Sequence, residues 1–141
     1  MTNRELIKLA LEARKMAYSP YSDFSVGAAL LCKDGSVYTG CNIENSAFSP
    51  TNCAERTAFF KAVSEGKREF EKIAVVGGAS LEDTPSNYCP PCGVCRQVMK
   101  EFCSADFEII IAKNPDDFKI LTLSEILPLS FDKREVYHEF C

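Results

Sequence analysis

The stretch FSVGAALLCKDGSVYTGCN, from Phe24 to Asn42, decides the architecture. Two apolar runs, Phe24 to Cys32 and Val37 to Asn42, flank Asp34-Gly35, and an Asp-Gly pair between such runs is a strong hairpin signal. The two runs are expected to pair antiparallel. On the N-terminal side, Leu6, Ile7, Ala10, Leu11, Ala13 and Ala17 recur at helical spacing. That predicts a helix from Thr2 to about Ala17, opened by a capping box of Thr2 and Glu5. Ser-Pro-Tyr-Ser-Asp at 19–23 is a turn-rich connection into the hairpin.

On the C-terminal side a polar loop, Asn42 to Asn52, leads into a helix from Cys53 to Val63 that ends at Gly66. Lys72 to Val76 reads as a short buried strand closed by Gly77-Gly78, and Ala79 to Asn87 as a loop. Cys92 to Phe102 has the pattern of a helix and Phe107 to Ala112 that of a strongly apolar strand. Lys119 to Thr122 is a further strand beyond the turn at 114–117, and Leu123 to Leu127 a short helix stopped by Pro128. This order predicts an α/β protein, a three-layer α/β/α sandwich with a mixed sheet, in which helix-joined strands run parallel. Ligands of such sheets gather where strands end and helices begin.

A chain of 141 residues suits one domain over 1–141, and with 46% hydrophobic and 26% charged residues it can build a core. The 16 Lys+Arg against 20 Asp+Glu leave a net charge of -4, so a nucleic acid partner is not expected. Eight cysteines in a chain with ample apolar residues point to thiols or a metal rather than a disulfide scaffold. Arg4, Glu5, Lys8, Glu12, Arg14 and Lys15 break every apolar run near the start, and no stretch approaches the ~18 apolar residues of a membrane span. The reducing cytoplasm is the expected compartment, with no membrane partner.

Two clusters sit where loop becomes helix: Cys53-Ala54-Glu55 and Pro91-Cys92-Gly93-Val94-Cys95. Cysteines three apart at a helix start share a face and clamp zinc readily. A third thiolate from Cys53 would leave one tetrahedral position open, which separates a catalytic zinc from a structural one. Glu55, at the first turn, can stand beside that position and exchange a proton with a water held there.

Further matching stretches are Ser-Pro-Tyr-Ser-Asp-Phe-Ser-Val-Gly-Ala-Ala-Leu (19–30), Asn42-Ile43-Glu44-Asn45, Cys53-Ala54-Glu55-Arg56, Pro91-Cys92-Gly93-Val94-Cys95-Arg96-Gln97, and Leu127-Pro128 with Phe131. Over nearly the whole chain the sequence resembles the small, homotetrameric, zinc-dependent cytidine deaminases, with cysteine in the place histidine takes in the H-x-E pattern of other deaminases. The segment from Ala79 to Cys89 looks longer than in many relatives and adds Cys89. The resemblance implies one zinc ion per chain on Cys53, Cys92 and Cys95, with Glu55 as the proton shuttle. It further implies that a metal-activated water attacks C4 of cytidine or deoxycytidine, giving the uracil nucleoside and ammonia in pyrimidine salvage. It implies that the Ala54 N–H binds the pyrimidine carbonyl, that the Pro90 carbonyl faces the leaving group, and that Asn42 and Glu44 hold the ribose. Phe24 offers a ring for contact with the base, and the resemblance implies that Phe131 reaches into a neighbouring subunit's site, so that a homotetramer would share its active sites. Three thiolates outweigh the charge of one zinc, and the resemblance gives Arg56, assisted by Gln97, the task of drawing that charge back, alongside two helix N-termini worth roughly +0.5 charge each.

Taken singly, these residues have plainer readings. Cys92 and Cys95 alone suit a structural zinc knuckle, a redox pair or, with other cysteines, an iron–sulfur cluster. Cys89 makes a second C-x-x-C with Cys92, and the set Cys53, Cys89, Cys92 and Cys95 would form a closed, non-catalytic site. Another cytosine-bearing substrate, polynucleotide or nucleoside antibiotic, is the alternative within enzymes. Cys32, Cys41 and Cys103 read as small core residues, Cys141 ends the chain, and His138 reads as surface.

Overall fold

The computed structural model describes residues 1–136; His138 and Cys141 lie outside the described residues. Helix α1 (Asn3–Arg14) starts at the expected capping box, where the Thr2 side chain accepts from the Glu5 N–H and Glu5 accepts from the Thr2 N–H at 2.8 Å. It ends at Arg14, short of Ala17. The chain is drawn off there because Tyr18 bridges to Ile43, its N–H donating to the Asn42 carbonyl and its carbonyl accepting from Glu44.

The strands are β1 (Phe24–Cys32), β2 (Val37–Cys41), β3 (Phe70–Ala79), β4 (Glu108–Asn114) and β5 (Asp117–Thr122). They form one sheet in the order β2-β1-β3-β4-β5. β1 pairs antiparallel with both β2 and β3, β3 parallel with β4, and β4 antiparallel with β5. The parallel pair is the one connected through helix α3 (Gly93–Phe102), as a crossover requires. Helix α2 (Ala54–Ser64) links β2 to β3, and the short α4 (Leu123–Ile126) follows β5 directly. A 3₁₀ turn at Lys133–Glu135 closes the described chain.

Strand alternation sorts the core into two layers. Ala28, Leu30 and Cys32 of β1, with Ile73, Val75, Ile109 and Ile111, face α2 and α3, where they meet Ala58, Phe59, Ala62 and Met99. Ala29 and Leu31, with Ala74, Val76, Ile110 and Ala112, face Leu6, Ile7 and Ala10 of α1. Helices therefore cover both faces of a mixed sheet. Each fully buried Ile or Leu contributes on the order of 2 kcal/mol. Phe59 anchors the first layer, its ring 5.1 Å from that of Phe70 and 6.3 Å from that of Phe102. Cys32 belongs to this core, whereas Cys41 and Cys103 are half-buried.

β3 runs on to Ala79, so Gly77-Gly78 lie inside the strand, paired with Val26 and Ser25, and do not close it. The loop that follows folds back on both glycines and occupies the space their side chains would fill. Another close approach fixes a helix: a Cβ on Gly40 of β2 would lie 2.3 Å from the Ala54 carbonyl oxygen, so α2 rests its first turn directly on the strand.

Candidate active site

Cys53 is the N-cap of α2 and Cys92 the N-cap of α3, both with extended backbone and neither making a side-chain cap hydrogen bond. Their thiols are left for something else. The fold brings the two helix mouths together at the same end of the sheet, with the Cys53 and Cys92 sulfurs 3.8 Å apart and those of Cys92 and Cys95 3.6 Å apart. All three sulfurs lie within 4.8 Å of one another. A tetrahedral zinc with Zn–S near 2.3 Å separates its sulfurs by about 3.8 Å, so this triangle fits one ion and leaves a fourth corner.

Cys89 stands outside the triangle, its sulfur packed over Gly77 and its thiol pushed up to about 11 by burial. The four-cysteine arrangement is not formed. Arg56, one turn into α2, donates from Nη2 to the Cys53 sulfur at 3.2 Å. The Cys95 thiol held on its sulfur draws the Cys53 thiol down, as does Arg56, against the opposing effect of burial. The same contact pushes Cys95 up. Both helices start at this cluster, and the positive end of each helix dipole favours negative charge there.

Glu55 is 4% exposed. Burial, reinforced by the neighbouring Cys53 sulfur, pushes its carboxyl up to about 7, against smaller downward pulls from a backbone hydrogen bond and Arg56. Glu55 lines a cavity of about 420 Å³ together with Phe24, Asn42, Glu44, Ala54 and the cysteines at 53 and 92. A buried carboxyl, an ion-sized sulfur triangle and an apolar-walled recess thus share one space, an arrangement suited to moving a proton at a metal-held water.

The remaining candidates are placed unequally. Phe24 stands at the cavity rim, 41% exposed. Asn42 is buried, its Oδ1 accepting from the Val26 N–H at 2.9 Å and its Nδ2 donating to the Phe24 carbonyl at 2.8 Å. Glu44 accepts from the Tyr21 and Ser22 backbone N–H groups, and the Ser22 hydroxyl, followed by those backbone groups, draws its carboxyl down. Asn42 therefore also ties the chain leaving β2 to the start of β1, and Glu44 ties it to the turn at 19–23.

Gln97 is not brought onto a thiolate in this chain; its Nε2 donates to the Phe131 carbonyl at 2.9 Å. Phe131 is 61% exposed and is not part of the cavity wall. Arg96 had no role assigned from the sequence. Its Nε donates to the Pro91 carbonyl at 2.8 Å and its Nη1 to the Ile126 carbonyl at 2.7 Å, fixing the entry to α3. The only local signal was a cation directly after Cys95.

Residues 1–111 match the family model for the cytidine and deoxycytidylate deaminase zinc-binding region. The chain is 50% identical over 136 residues to the cytidine deaminase of Sporosarcina psychrophila, covering 96% of each. It is 52% identical over 136 residues to that of Halalkalibacterium halodurans, covering 96% of this chain and 98% of the relative. Among solved structures, the crystal structure of cytidine deaminase from Burkholderia pseudomallei superposes with a TM-score of 0.84 at 44% identity, covering 93% of this chain and 100% of that one.

Proposed function

The chain belongs to the cytidine and deoxycytidylate deaminase family, an enzyme family, and from that premise we propose that it hydrolyses free cytidine and deoxycytidine to the uracil nucleosides and ammonia. In this reading one domain over the whole chain holds one zinc ion on Cys53, Cys92 and Cys95. The observation that carries it is the sulfur triangle at two helix mouths, with a buried carboxyl one residue inside the first of them. Bound there, zinc would acidify a water so that it can act as the nucleophile near neutral pH.

The protein's own groups do the rest. Glu55, its carboxyl pushed up by burial, keeps one proton for ring nitrogen N3, then takes a second from the attacking water and passes it to the departing amine. Water is consumed, the C4–N bond breaks, and ammonia leaves. The Ala54 N–H, at the first position of α2, binds the pyrimidine carbonyl; the Pro90 carbonyl, from the cavity wall, faces the amine. Arg56 draws negative charge off the Cys53 sulfur. Phe24 takes the edge of the base, while Asn42 and Glu44 bind the sugar hydroxyls.

Nucleosides rather than nucleotides suit this cavity. Among the described residues its wall holds no Lys, Arg or His, and Glu44 would repel a phosphate. Phe131, exposed on the surface of one copy, would reach into a neighbouring copy's site in a homotetramer with shared pockets. The cluster works only with reduced thiols, which suits pyrimidine salvage in the cytoplasm.

The test is to mix the purified protein with cytidine, follow the change from cytosine to uracil absorbance, and measure zinc per chain. Wild type is expected to turn over with one zinc; Glu55→Gln keeps the metal and loses about 10²–10⁴-fold in kcat. Full turnover by Glu55→Gln would overturn the proton-shuttle role, and an inactive, zinc-loaded wild type would overturn the reading as a whole.

A further inference from the structure

The successive glycines of β3 have missing side chains that would point to opposite faces of the sheet. On the face of the cysteine cluster, a Cβ on Gly77 would lie 2.8 Å from the Cys89 sulfur. On the α1 face, a Cβ on Gly78 would lie 3.1 Å from Cβ of Pro85. The segment 80–89 therefore wraps around the end of β3, starting on the far face and finishing on the face of the site.

What grips the far-face half is Arg14, the last residue of α1, only 7% exposed. Its guanidinium donates to four carbonyl oxygens: Ser25 at 2.8 Å, Gly78 at 3.0 Å, Ala79 at 2.6 Å and Glu82 at 2.7 Å. Ser25 and Gly78 are partners across β1 and β3, so the fork joins the ends of two strands to the loop that leaves one of them. A lysine, with three donors on a point charge, cannot span that set.

We propose that Arg14 is a positioning residue for the pocket: from the opposite face of the sheet, its guanidinium fixes the loop that delivers Cys89 and Pro90 to the cavity wall. Phe24, which neighbours Ser25 in β1 and pairs with Ala79 in β3, is set by the same clamp. The metal triangle is not, since its sulfurs are held by the starts of α2 and α3 and by Arg56. Arg14 acts on how the nucleoside is bound more than on the metal.

This inference rests on the pocket being the nucleoside site, so its test carries one readout that needs no turnover. Zinc-loaded wild type, Arg14→Met and Arg14→Lys are compared by zinc per chain, by amide hydrogen exchange over residues 79–90, and by KM and kcat for cytidine. Arg14→Met should keep its zinc, exchange faster across 79–90, and raise KM about tenfold with kcat within about threefold. Arg14→Lys should fall between it and wild type. A folded variant with a lower melting temperature but unchanged KM and unchanged exchange would overturn the proposal, as would failure of both variants to fold, since either makes Arg14 a stability residue only. Should wild type not turn over cytidine, the proposed function fails, and the exchange data still decide whether Arg14 holds the loop.

Discussion

The two helix mouths that meet at the sulfur triangle are held by different means. α2 starts directly on the sheet: its first turn lies against the backbone of β2 at Gly40, and the Thr57 hydroxyl bonds the Cys53 and Cys41 carbonyls at 3.1 Å each. α3 starts after a long loop, and polar side chains of its own first turn and of that loop do the holding. Arg96 ties Pro91 to Ile126, while Tyr88 bonds Asp117 and lies under Lys113 and Lys119, whose Nζ atoms are 4.7 and 4.9 Å from its ring centroid. A helix that rests on a strand is placed by packing and tolerates no added volume there; one that hangs on polar clasps loses position in steps as each is cut.

The largest effect should come from Gly40→Ala. Its Cβ meets backbone atoms that cannot move without displacing α2, so a loss of at least about 3 kcal/mol is expected in denaturant unfolding, with zinc content falling too. A stability change under about 1 kcal/mol would show that the first turn of α2 can shift freely. Next is Arg56→Ala, which leaves all three sulfurs in place and is expected to keep zinc while losing up to about 100-fold in kcat. Undiminished turnover at equal metal content would remove the charge-withdrawing role. On the α3 side, Arg96→Met should weaken zinc binding by about tenfold, read by competition with a chelator, with less effect on global stability than Gly40→Ala. The reverse order of stability effects would invert the contrast between the mouths. Smallest is Tyr88→Phe, which keeps the ring under both lysines and removes only the hydroxyl bond to Asp117, costing about 1 kcal/mol with zinc unchanged.

The same contrast explains what could be read from the chain. Strand alternation at Ala28 to Cys32 and the hairpin at Asp34-Gly35 are local patterns, and both faces of the sheet follow from them. Cys53 and Cys92 sit at helix starts that the sequence marks plainly. Gly77-Gly78 misled because two glycines look like a stop; their reason is a loop lying on both sides of the strand, a contact between distant segments that no local pattern encodes. Arg14 looked like one more charge that interrupts an apolar run, and only the fold shows four carbonyls converging on it. Likeness to a motif points Gln97 at a thiolate, but its partner in this chain depends on where the segment after Pro128 returns.

An oxygen-bearing side chain at the N-cap of a helix satisfies one of the donors left open in the first turn; Thr2 and Thr122 do so in α1 and α4. Cys53 and Cys92 do not, and the two helices they open are the ones that carry the site. A metal on the sulfur triangle would pin both of these starts, so adding a chelator to zinc-loaded protein is expected to fray both helices from their first turns and lower the melting temperature. Zinc held there, as proposed, would be the reacting group and also the clip that fastens residue 53 to residue 92.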